Sequence, residues 1–159
     1  MDGISIMRRV IELSRQGSEA GHGGPFGCVI VKDGEVVAEA YNEVLASKDL
    51  TAHAEVLAIR RAAAALGSSD LSGCDLYTIG APCCMCTSSM FWARIRRAYY
   101  CIPMADSTAI GLGDDHYFAE LALPLSERTI VPMIQDPELT DEARAVYRNW
   151  FENPNRIDF

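Results

Sequence analysis

The chain has 159 residues, 49% of them hydrophobic, which predicts one globular domain with a substantial core. It carries 22 acidic against 14 basic residues, a formal net charge of −8, and this disfavours a nucleic-acid partner because phosphates are neutralised by lysine and arginine. We find no apolar run of transmembrane length and no signal peptide, so we expect no membrane partner and a cytoplasmic location.

The first half of the chain alternates helix and strand patterns. Asp33-Gly34 is typical of a type I′ hairpin turn between two strands. The following alanine-rich helix has Thr51 as its predicted N-cap and ends at Gly67. The predicted elements are a helix, two hairpin strands and a second helix at 4–19, 26–32, 35–41 and 52–66.

The second half continues this alternation. Pro132 places the last predicted strand at a sheet edge, since proline cannot donate to the ladder. The order predicts a layered α/β domain in which later β-α-β units extend the hairpin with parallel strands. The predicted elements are a strand, a helix, a strand, a glycine-containing loop, a strand and a final helix at 75–79, 83–93, 98–102, 103–115, 129–135 and 140–152.

Cys83 and Cys86 are the first indication of a metal site. At three-residue spacing in the first turn of a helix, both sulfurs can reach one ion. The positive end of the helix dipole favours their thiolates. His53 can supply a third ligand, and three protein ligands with a fourth position for water are typical of catalytic zinc. We therefore predict one Zn²⁺ per subunit.

Glu55, two residues after His53, is the predicted base. Residues two apart diverge by about 200° in mid-helix, so both can face one site only at a helix start. H-x-E followed by P-C-x-x-C is the pattern of zinc deaminases. Two other interpretations compete: a structural zinc site, which requires a fourth Cys or His, and a redox C-x-x-C pair, which requires neither His53 nor Glu55.

The chain resembles the cytidine/deoxycytidylate deaminase superfamily of zinc hydrolases, and within it the free-base branch typified by bacterial guanine deaminase. The resemblance implies a three-layer α/β/α fold with a five-stranded mixed sheet over residues 1–159. It also implies a homodimer whose subunits exchange the C-terminal segment, about residues 136–159. The matching motifs lie at 23–27, 29–34, 42, 52–55, 82–86, 92–94, 111–115 and 158–159.

The activity that this resemblance implies is hydrolysis of guanine to xanthine and ammonia, with Glu55 and Asp114 as the catalytic carboxylates. Asp115 leaves the register of the second acid open. Ala81 stands where relatives of this branch usually carry Glu, which keeps cytosine, ammeline and guanosine as alternative substrates. Adenosine in tRNA is disfavoured by the acidic charge and by the lack of a basic C-terminal helix.

Five residues are predicted to bind the substrate. Phe26 and Trp92 can stack on a planar base, although either can equally belong to the core. The Asn42 amide can bond a ring carbonyl or N7, or it can be an ordinary turn residue. The resemblance adds Ala54 beside the metal motif, and Phe159 as a lid on the partner's active site.

Overall fold

The computed structural model describes residues 2–157, which contain a four-stranded mixed sheet. The strands are β1 (Gly27–Lys32), β2 (Glu35–Tyr41), β3 (Cys74–Gly80) and β4 (Arg97–Ile102). The helices are α1 (Gly3–Glu19), α2 (Val44–Ser47), α3 (Ala54–Leu66), α4 (Cys84–Trp92), α5 (Met104–Ala109), α6 (Asp115–Leu121) and α7 (Thr140–Glu152), with a 3₁₀ turn at Leu125–Glu127.

The sheet order is β2-β1-β3-β4. β1 pairs antiparallel with both β2 and β3, and only β4 joins its neighbour in parallel, so fewer parallel pairs form than we predicted. The β1–β2 turn confirms the type I′ prediction, because both Asp33 (φ 51°) and Gly34 (φ 83°) adopt positive φ.

The predicted fifth strand at 129–135 is wrong for the part of the chain that the structure describes. Those residues form no strand and the sheet has four members. The backbone N–H groups of Thr129 and Ile130 donate to the Glu120 carboxylate instead of to a neighbouring strand. Pro132 has no N–H to offer a ladder, so nothing in this segment favours regular pairing.

Helices cover both faces of the sheet, which confirms the three-layer arrangement. α1 packs its buried stripe on one face, and α3 and α4 pack on the other. The buried face of α3 includes three alanines spaced four apart, so the helix can approach the strands closely. These alanines are Ala54, Ala58 and Ala62.

The chain divides into two compact units, residues 2–115 and 116–157. The first contains the whole sheet, and the second contains α7. No helix within 2–157 is both long and apolar enough to cross a bilayer. The single domain of 1–159 remains a prediction.

Candidate active site

Three potential metal ligands converge where α3 and α4 begin. His53 is the N-cap of α3 and Cys83 is the N-cap of α4, both with extended backbone. Cys86 lies one turn into α4. The predicted cap Thr51 is wrong, because its hydroxyl donates to Asp49 (2.7 Å) and the helix starts three residues later. The expectation that two helix N-termini point at one site is confirmed.

The spacing of these donors fits a tetrahedral zinc ion. His53 Nδ1 lies 3.6 Å from Cys83 Sγ and 3.5 Å from Cys86 Sγ. Tetrahedral bonds of about 2.0–2.1 Å to nitrogen and about 2.3 Å to sulfur place the two atoms about 3.6 Å apart. All three ligand atoms lie within 4.8 Å of one another. Within residues 2–157, the group contains no fourth His, Cys, Asp or Glu. Three ligands favour a catalytic over a structural site.

Hydrogen bonds adjust the ionisation of the three groups. The bond from Cys86 and then that from His53 lower the pKa of Cys83 to about 4. The bond with the Cys83 thiolate and burial raise the pKa of Cys86. The bond to Cys83 also raises the pKa of His53. The lowered pKa favours the thiolate form of Cys83, the form of cysteine that binds metals.

Glu55 lies beside this cluster as a buried carboxylate with only 5% of its surface exposed. Burial raises the pKa of Glu55. Thr78 donates to its Oε1 (3.0 Å), and the Cys86 thiol donates to its Oε2 (3.4 Å). A buried carboxylate near metal ligands can accept and return a proton without free access of bulk water.

A cavity of about 220 Å³ opens onto this cluster. Of the predicted substrate-binding residues, Phe26 and Asn42 line it, whereas Ala54 is buried and Trp92 is 77% exposed. Phe159 lies outside the described residues. The lining residues are Phe26, Asn42, His53, Glu55, Ala81, Cys83, Met104, Ser107, Leu112 and Asp114.

Asn42 has a defined orientation in this cavity. Its Oδ1 accepts from the Val44 N–H (3.2 Å), which places the oxygen of the amide on the backbone side. Gly23 packs so closely that a Cβ there would lie 2.0 Å from the same oxygen. The Asn42 NH₂ group thus remains able to donate to a ligand.

Asp114 lines the cavity, whereas Asp115 points elsewhere. The Asp114 Oδ2 accepts from the Cys84 N–H at 3.3 Å. The Asp115 Oδ2 instead lies 2.6 Å from the Thr108 hydroxyl. The structure therefore brings Asp114, of the two adjacent acids, to the site.

Sequence reasoning missed two contributions to the site. Thr78 is fully buried and bonds Glu55, and a threonine at the centre of an apolar strand was the available signal. The segment 103–115 contains α5, not only a loop. Pro103 before this helix and Gly111 after it are helix-boundary signals. Met104 and Ser107 on α5 line the cavity.

This fold and site define a zinc-dependent deaminase, and the chain belongs to the cytidine and deoxycytidylate deaminase zinc-binding family, whose model matches residues 2–102. Guanine deaminase of Bacillus subtilis (strain 168) is 44% identical over 130 residues, 82% of this chain and 83% of that protein. A crystal structure of guanine deaminase from Bacillus subtilis matches 100% of this chain and 99% of its own with a TM-score of 0.91 and 38% identity.

Two further relatives differ in coverage. A tRNA-specific adenosine deaminase of Agrobacterium fabrum is 49% identical over 76 residues, which are 48% of this chain and half of that protein. The solved structure of a mutant protein in complex with 8-azaguanine is 33% identical and has a TM-score of 0.65. The match covers 67% of this chain and 63% of the chain in that structure.

Cysteine substitution tests the ligand set. We expect Cys83→Ser and Cys86→Ser each to weaken zinc binding at least about tenfold, because each removes a thiolate from the ligand group. Zinc content by elemental analysis and competition with a chelator measure this loss. Cys84→Ser is the matched control and should retain zinc, since Cys84 is not part of the group. Equal loss in all three variants would contradict the assignment.

Proposed function

We propose that this chain is a zinc-dependent hydrolytic deaminase of free nucleobases that converts guanine and water into xanthine and ammonia. The observation that carries the proposal is a buried carboxylate, Glu55, next to three convergent ligands in a small cavity. The extent of the match to the Bacillus guanine deaminase supports guanine as the base.

His53, Cys83 and Cys86 would hold zinc, which when bound supplies a Lewis acid that makes hydroxide available near neutral pH. Glu55 takes the proton of the attacking water and delivers it to the ring nitrogen beside the amino-bearing carbon. A carbon–oxygen bond forms, the exocyclic carbon–nitrogen bond then breaks, and ammonia departs with the protons that Glu55 has moved. Thr78 holds the carboxylate in place through Oε1.

Asp114 and Asn42 would read the edge of the base. The Asp114 carboxylate can only accept when ionised, so it complements ring N–H and amino groups. The Asn42 NH₂ group is free to donate, because its oxygen already accepts from the Val44 N–H. Guanine presents O6 and N7 as acceptors and N1–H as a donor, which matches this pair. Asp114 can also pass a proton to the leaving amine.

The size of the cavity favours a free base. At about 220 Å³ it lies below the roughly 300–1,000 Å³ of pockets for drug-sized ligands. Phe26 supplies an aromatic wall, on which a planar ring can stack. A solved relative binds 8-azaguanine, a free-base analogue, in agreement with this size. Ala81 contributes only a methyl group to the wall, so this position offers no hydrogen bond that would select one ring.

Charge pairing argues against tRNA as the substrate. Two of the three arginines in the basic cluster at 94–97 are paired, Arg94 with Asp70 (2.9 Å) and Arg96 with Asp75 (2.8 Å). An arginine already bound to a carboxylate offers little to phosphate.

A substrate comparison tests this proposal. We expect ammonia release from guanine to exceed that from cytosine, ammeline and guanosine by at least about 100-fold in kcat/KM. A site that hydrogen-bonds one ring edge rejects cytosine and ammeline, which lack it, and the small cavity disfavours the ribose of guanosine. Coupled detection of ammonia and loss of guanine absorbance measure the rates. A higher rate on cytosine, ammeline or guanosine would reassign the substrate. A failure to release ammonia from any of the four compounds would exclude free-base deamination.

Substitution of Glu55 separates chemistry from metal binding. Glu55→Gln keeps the shape and should lower kcat at least about 100-fold, because an amide cannot shuttle the proton. Zinc content should remain that of the wild type. Glu35→Gln, an exposed site at the start of β2, is the control. Near-normal turnover in Glu55→Gln would rule out this carboxylate as the base.

Assembly is the remaining part of the proposal: a cytoplasmic homodimer that exchanges residues of about 136–159, with Phe159 as a lid. Every residue of β4 is exposed, and α7 exposes Tyr147 (79%) and Phe151 (66%). Exposed apolar surface of this kind favours association. All six cysteines are free thiols, which suits a reducing compartment.

Complementation tests the exchange. Light scattering should give a dimer. We expect Glu55→Gln, which has an intact tail, and a variant lacking residues 156–159, which has an intact Glu55, to be inactive alone and to regain activity when refolded together. Up to about a quarter of wild-type specific activity is expected, because only mixed dimers contain one complete site. Monomers, or no recovery in mixed dimers, would contradict the exchange.

A further inference from the structure

α5 ends in a tight glycine cap directly before the segment that contains Asp114. Gly111 adopts φ +81°. Its N–H donates to the Thr108 carbonyl (3.1 Å), and the Leu112 N–H donates to the Ser107 carbonyl (2.9 Å). These two bonds form a Schellman motif, which favours glycine at the left-handed position. The path of the chain towards Asp114 is thus defined by α5.

The backbone at Gly113 then packs closely against Thr108. A Cβ at Gly113 would lie 2.4 Å from Thr108 Oγ1 and 2.8 Å from its Cα. A real side chain does not fit at these distances, so the backbone depends on glycine here. Thr108 is therefore the surface on which the residue before Asp114 rests.

The residue after Asp114 is held by the same threonine. Thr108 Oγ1 lies 2.6 Å from Asp115 Oδ2 and 3.1 Å from the Met104 carbonyl. A hydroxyl has one proton, and the shorter contact to the charged acceptor is the stronger bond. Thr108 therefore donates to Asp115, which draws that carboxylate away from the cavity.

Asp114 lies between these two contacts, and its carboxylate meets the start of α4 through the Cys84 N–H (3.3 Å). We infer that Thr108 is a positioning residue: through Gly113 and Asp115 it sets which acid enters the cavity and where Asp114 lies. The inference rests on the proposed role of Asp114. Thr108 is exposed, so its hydroxyl contributes little to the core.

Removal of the hydroxyl tests this role. Thr108→Val keeps the shape of the side chain, and we expect kcat to fall about tenfold with KM within about twofold, because small misplacement of a proton carrier slows chemistry. Thr108→Ser, which keeps the donor, should restore most of kcat. Asp106→Asn, on the same helix but outside these contacts, is the matched control. Unchanged kcat in Thr108→Val would overturn the inference.

A double-mutant comparison separates positioning from general stability. In an Asp114→Asn background, Thr108→Val should cause no further loss of kcat, because the residue through which it acts is already altered. A full additional tenfold loss, or an equal loss in Thr108→Ser, would show a merely structural effect and overturn the inference.

A readout without turnover keeps this test distinct from the proposed function. In the zinc-loaded protein, amide exchange at Cys84 should be faster in Thr108→Val than in wild type and Thr108→Ser, because the bond to Asp114 is loosened. The kinetic arms use whichever base the wild type deaminates. If guanine fails as a substrate but Cys84 responds, the positioning role stands, and if Cys84 exchange is unchanged, it falls.

Discussion

The convergence of two helix N-termini is the constraint on which the site depends. At an N-cap the backbone is still extended, so the side chain points back across the end of the helix axis rather than outwards. His53 and Cys83 both occupy this position, which allows residues of different helices to meet. The same geometry aims partial positive charge at the sulfurs and favours thiolate at Cys83. The crossover from β3 through α4 to β4, together with the packing of α3 on the sheet, brings the N-termini of α3 and α4 to the same end of the strands.

The position of Glu55 follows from that cap. Because His53 precedes the first helical residue, the divergence expected of residues two apart on a helix does not apply, and both side chains reach the same cluster. Burying a carboxylate is unfavourable unless its oxygens are bonded. Thr78 provides such a bond to Oε1. The free energy lost to burial is thus partly offset, and the carboxylate gains a fixed position and a raised pKa, which suit a group that accepts and returns a proton.

Local sequence signals predicted what local physics determines. The Asp33-Gly34 turn and the pairing of Cys83 with Cys86 follow from short-range spacing. His53, 30 residues before Cys83, was added through the sequence pattern of zinc deaminases. Features that depend on distant partners were not predictable in this way. The segment 129–135 has strand-forming residues, but the Glu120 carboxylate takes its amides. The segment 103–115 is predicted as a loop because glycines and acids are typical of loops. In the structure these residues end α5 and start α6.

In the proposed function, selectivity depends on the hydrogen-bonding polarity of the cavity rather than on the metal. The ligand group and Glu55 require only an amino group on a carbon beside a ring nitrogen, which cytosine and guanine share. Asn42 would distinguish rings because the Val44 N–H fixes the orientation of its amide, and its NH₂ group remains able to donate. Asp114 adds the opposite polarity, and a base that presents a carbonyl to one and an N–H to the other leaves neither unpaired. A ring with the wrong pattern would leave a polar group of the cavity without a partner, and that penalty of about 1–3 kcal/mol per group is the physical source of discrimination.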